Sequence, residues 1–87
     1  MMNDKHSKWH GDLADDCHLS RYGYRAHVEC MSRGVWWFAV GKNEFPYYEE
    51  IYNTADNQTS VKLTTGKMAR AAAECVIELL HKLEDSQ

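Results

Sequence analysis

From Tyr24 to Met31 apolar and polar side chains alternate. Tyr24, Ala26, Val28 and Cys30 fall on one side, Arg25, His27 and Glu29 on the other. A period of two is the signature of a strand with one face buried. Ser32-Arg33-Gly34 follows as a turn, Gly34 being free to take positive φ. Val35 to Val40 is apolar on both faces and reads as a second, central strand, so the two segments form an antiparallel hairpin. Gly41-Lys42-Asn43-Glu44 is the next expected turn. A third strand is expected over Tyr47–Tyr52 and a short edge strand over Ser60–Leu63, with polar turn-formers between them.

The pattern then changes period. Met68, Ala72, Cys75, Val76, Leu79, Leu80 and Leu83 recur at helical spacing, with Lys67, Arg70, Glu74, Glu78, His81, Lys82 and Asp85 opposite. A helix is therefore expected over 66–84, capped by Thr64 or Thr65, with the Met68–Leu83 stripe inward and Ile77 stranded among polar residues. Residues 1–20 show no sustained period and read as a polar tail, or an arm whose Trp9 docks elsewhere. The expected fold is α+β: an antiparallel sheet of three to four strands with one C-terminal helix packed on one face, in a single domain over 21–87.

Composition fits this picture. The chain has 87 residues, enough for one domain, and 44% are hydrophobic, the share of an ordinary globular protein. Three Trp, five Tyr and two Phe supply the buried area that a small core needs. The net charge of −3 argues against a strongly basic nucleic-acid binder. No apolar run is long enough to span a bilayer, and Met1 to His6 lack the apolar core of a signal peptide, so a cytoplasmic protein without membrane contact is expected. The odd count of three cysteines, Cys17, Cys30 and Cys75, argues against a disulfide framework.

Candidate chemistry is sparse. His6, His10, Cys17, His18, His27 and Cys30 lack the repeated paired spacing of a zinc site, so no metal or other cofactor is expected. Cys17-His18 and the carboxylate pairs Asp15-Asp16 and Glu49-Glu50 are sequence neighbours, which point to opposite faces of a strand. With no nucleophile elbow, P-loop or dinucleotide fingerprint, no enzymatic activity is expected.

Two sets of residues suggest binding. Trp36 and Trp37 point to opposite faces of their strand, so a helix covering one face leaves aromatic surface on the other. Exposed aromatic surface marks contact sites, and Trp36, Phe38, Tyr47, Tyr48 and Trp9 are the expected anchors for a protein partner or for self-association. The second set is basic. Lys67-Met68-Ala69-Arg70-Ala71-Ala72-Ala73 resembles the start of the last helix of double-stranded-RNA-binding domains. That resemblance implies phosphate contacts by Lys67 and Arg70, to which Lys62 and Arg33 would add in an alternative RNA-binding role. The N-terminal helix and the glycine–proline–histidine loop of that family have no counterpart here. At the level of pattern, the Trp-rich hairpin Gly34–Val40 and the Ala-rich helix Thr64–Leu83 resemble small orphan proteins of phages and prophages. This resemblance implies a small module that binds, and in some cases blocks, a host protein.

Overall fold

A computed structural model describes residues 8–44, 47–54 and 62–86. Among the described residues, five strands, β1 (His10–Gly11), β2 (Asp16–Arg21), β3 (Tyr24–Ser32), β4 (Val35–Glu44) and β5 (Tyr47–Asn53), precede a C-terminal helix, α1 (Gly66–Asp85). The strands form a single antiparallel sheet in the order β1-β2-β3-β4-β5, so each pairs only with its neighbours in the chain. The α+β architecture agrees with expectation, but there are five strands rather than three to four.

The additional strands come from the segment expected to be a tail. Cys17 and Leu19 are buried while His18 and Ser20 are not, a short alternation continued by Arg21 instead of an apolar residue. Tyr22 and Gly23 then both take positive φ, at 57° and 82°, between the paired residues Arg21 and Tyr24. This is the two-residue geometry whose twist matches that of the flanking strands. Tyr22 is not a glycine, and its left-handed backbone is accompanied by stacking of its ring on His81 of α1, at 3.8 Å and 9°. Upstream, Ala14 N–H donates to Asp12 Oδ1, and Cys30 N–H donates to the Asp15 carbonyl, fixing the loop before β2 against β3.

Gly41–Glu44 also differs from expectation. It is not a turn but the continuation of β4, with a register shift between Val40 and Gly41. The Tyr48 ring lies directly over Gly41, where a Cβ would overlap both the ring and the Glu49 carbonyl. The edge strand expected over 60–63 falls partly outside the described residues. Its described end, 62–63, is irregular, and the Leu63 carbonyl accepts a bond from Trp36 N–H.

α1 begins as expected, with the Thr65 hydroxyl accepting from Met68 N–H. Its rotation about its own axis is not as expected. The buried residues are Gly66, Ala69, Ala73 and Ile77, and Ile77 is fully buried. Of the expected inward stripe, Ala72, Val76 and Leu80 are half-buried and pack against the core, whereas Met68, Leu79 and Leu83 are 42%, 58% and 54% exposed and Cys75 is exposed as well. Two physical reasons account for the turn. Gly66, Ala69 and Ala73 are small, so this face approaches the sheet closely. The covered sheet face also carries polar tips that need partners. Arg21, buried in β2, pairs with Glu74 at 3.0 Å and Glu78 at 3.6 Å; the Tyr24 hydroxyl donates to Glu84 at 2.6 Å. The core between helix and sheet contains Cys17, Leu19, Tyr24, Ala26, Val28, Phe38, Val40, Leu63, Ala69, Ala73 and Ile77.

Candidate functional site

α1 packs on β3 and β4 from one side only. The opposite face of the sheet is built from the other half of each alternation: Asp16 and His18 of β2, Arg25 and His27 of β3, Trp37 and Ala39 of β4, and Tyr48 and Glu50 of β5. These eight residues line a shallow depression of about 430 Å³.

Strand register sets their arrangement. His10, His18, His27, Ala39 and Asn53 are successive cross-strand partners and form one row across all five strands. His10 and His18 stack at 5.7 Å, and the Trp37 ring meets His27 edge-on at 5.5 Å and 88°. The Asp16 carboxylate contacts His27 Nε2. The Trp37 indole N–H donates to Asn53 Oδ1 at 2.7 Å, and Asn53 Nδ2 donates in turn to Glu50 Oε1 at 2.9 Å. The indole is therefore held in one orientation by a short relay along β5.

Partial desolvation pushes the His18 pKa below its usual value, and the Arg25 guanidinium acts in the same direction. His18 is accordingly neutral at physiological pH. Desolvation and the Glu50 carboxylate push the Tyr48 phenol up, against the opposing pull of Arg25, so it stays protonated. The depression thus offers an oriented indole, a phenol, a guanidinium, two imidazoles and two carboxylates. Among the described residues, its lining holds no serine, threonine or cysteine. Among the described residues, no group of three His, Cys, Asp or Glu side chains converges as metal ligands.

The four expected anchors whose side chains are described are distributed over both faces. Tyr48 lies on the open face and is 46% exposed. Phe38 is buried under the helix and stacks on Tyr52 at 5.5 Å. Trp36 is half-buried on the same side, with its ring against Gly66 so closely that a Cβ there would collide with it. Trp9 is also half-buried, packs against the core and donates its indole N–H to Glu74 at 3.2 Å. The side chain of Tyr47 lies outside the described residues.

Trp37, Arg25, His18 and His27 were not among the expected anchors. The alternation in β3 already placed Arg25 and His27 away from the core, and Trp37 belonged to one of two possible exposed sets. Only the side chosen by the helix distinguishes them. Of the basic set, Lys62 and Lys67 are exposed and Arg33 is exposed at the β3–β4 turn. Arg70 instead donates to the Leu13 carbonyl at 2.9 Å and lies beside Cys17, whose thiol is pushed up chiefly by burial. Comparison with family models, curated proteins and solved structures finds no match to this chain.

Proposed function

We propose that this chain is a non-enzymatic protein-binding module whose contact surface is the open face of the sheet, centred on Trp37. The observation that carries this reading is the gathering of Trp37, Tyr48 and Arg25 around one depression on the sheet face opposite α1. Tryptophan, tyrosine and arginine are the residue types that dominate binding energy at protein interfaces. The Asn53–Glu50 relay supports the same role, because an anchor already held in one rotamer loses less freedom on binding. The surrounding Asp16, Glu50, Arg25 and imidazoles are polar groups of both signs, able to satisfy a protein surface around the aromatic centre.

RNA binding is less well supported. Phosphate recognition needs free cations on one surface, and Arg70 is engaged by the Leu13 carbonyl. The pattern resemblance to phage orphan proteins directs the search toward a host protein as partner, with inhibition as one consequence of binding.

The test is affinity capture from host extract with the wild-type chain and with Trp37→Ala and Arg25→Ala variants. Arg25 is exposed and Trp37 is half-buried outside the helix–sheet core, so the far-UV spectrum and melting curve of each variant are recorded beside wild type to show that the fold is retained. A partner retained by wild type and lost by roughly tenfold or more in Trp37→Ala, the size of one hot-spot truncation, supports the open face. Retention by both folded variants overturns it.

A further inference from the structure

The pole of α1 that points away from the sheet is apolar. On a helix of about 100° per residue, the arc opposite Ile77 contains Met68, Ala71, Ala72, Cys75, Leu79 and Leu83, with Lys82 as the only charge. A helix with one buried face ordinarily turns its charges to this arc. Here Glu74 and Glu78 lie on the flank that serves Arg21, and Glu84 lies near the line of Ile77, where it meets Tyr24. Met68, Cys75, Leu79 and Leu83 are exposed and Ala72 is half-buried at their edge; the five are separated by steps of four, three, four and four, which keeps them along one side of the helix where a second helix can pack.

We infer that this stripe pairs with the same stripe of a second copy of the chain, in an antiparallel helix pair centred at Cys75–Val76. The sequence is self-complementary in that register. Reversal about the centre sets Leu79 opposite Ala72 and Met68 opposite Leu83, a large residue against a small one beside the axis and two flexible or branched apolar residues at the ends. Ala72 also forms part of an apolar groove of about 230 Å³, with Phe38, Tyr52, Leu63 and Val76 among its lining, and Leu79 of the other copy enters it. Cys75 borders this groove and the one on the opposite flank of the helix, so it stands on the crest between them. A crest flanked by two grooves is the shape that ridge-into-groove packing requires.

Electrostatics select the antiparallel sense. It opposes the two helix dipoles and brings Lys67 of one copy alongside Asp85 of the other, whereas a parallel pair would set Lys67 against Lys67. Lys82 has a four-carbon stem that can lie along the stripe with its ammonium group in water. A single helix pair buries less than the standard interface of about 1,600 Å², so a reversible, concentration-dependent dimer is expected.

The test combines sedimentation equilibrium of the full chain with a short bis-maleimide crosslinker, at low and high protein concentration. The expected result is an average mass that rises toward the dimer with concentration, with a Cys75–Cys75 crosslink that disappears in Cys75→Ser. Leu79→Arg should return the chain to monomer and abolish the crosslink with its melting curve retained, because that side chain is solvent-exposed. A chain that stays monomeric at the highest concentration overturns the inference. So does a dimer that survives in folded Leu79→Arg, which would place self-association on another surface.

Discussion

At the scale of single residues, Tyr24 shows how a polar atom is accommodated in a small core. Its ring is only 6% exposed, and its hydroxyl donates to Glu84 at 2.6 Å. That bond, reinforced by desolvation and the carboxylate charge, pushes the phenol up to about 12. Folding therefore favours the protonated phenol. The stabilisation is complete below the ordinary value of 10.0 and is lost as pH climbs from there toward about 12. Tyr24→Phe should lower stability by about 1–2 kcal/mol at neutral pH, a hydrogen bond to a charged group at a half-open site. It should also flatten the alkaline limb of the stability curve between those two values, as measured by urea titrations from pH 8 to 12. An unchanged alkaline limb would show that the phenol is not the titrating group. The strand pattern identified Tyr24 as inward-facing, but not its partner, because Glu84 lies sixty positions away on an element whose rotation the pattern misjudged.

At the scale of elements, the helix carries the clearest periodicity in the chain, yet its orientation departs from the one that periodicity implies. Hydrophobic periodicity locates the most apolar stripe, and a helix normally turns that stripe inward. Here close approach by Gly66, Ala69 and Ala73, together with the demands of Arg21 and Tyr24, selects a face with less apolar area and better-satisfied polar groups. The contrast is measurable. Ile77→Ala should cost about 2–4 kcal/mol, as truncations of fully buried aliphatic residues do. Leu79→Ala, in dilute solution, should change stability by no more than about 0.5 kcal/mol. Chemical denaturation of both variants checks this, and a reversed order would restore the stripe to the core. β2 was hidden for a related reason: its third inward position holds Arg21, so the alternation breaks after two residues. The dipeptide Tyr22-Gly23, set between two alternating runs, was the available signal for the turn.

At the scale of the molecule, much of the open face was present in the alternation of β3, and the choice between Trp36 and Trp37 waited on the helix. Both proposed surfaces follow from that one docking event: it leaves the Trp37 face of the sheet clear of α1 and turns Met68, Cys75, Leu79 and Leu83 outward. The two surfaces lie on opposite sides of the chain, so a dimer formed through α1 would present two open sheet faces pointing away from each other.

The order of the strands also bears on how fast the chain reaches this state. In a pure meander, every strand pair closes a short loop, whereas Trp9–Glu74 and Tyr24–Glu84 join residues 65 and 60 positions apart. Short closures cost less chain entropy and form first, so the sheet assembles as a local event and the helix arrives late. In stopped-flow measurements, Val28→Ala should mainly slow refolding, while Ile77→Ala should mainly hasten unfolding. A sheet formed ahead of helix docking would have both faces bare, and the time before α1 docks would set the window in which the chain is vulnerable to aggregation.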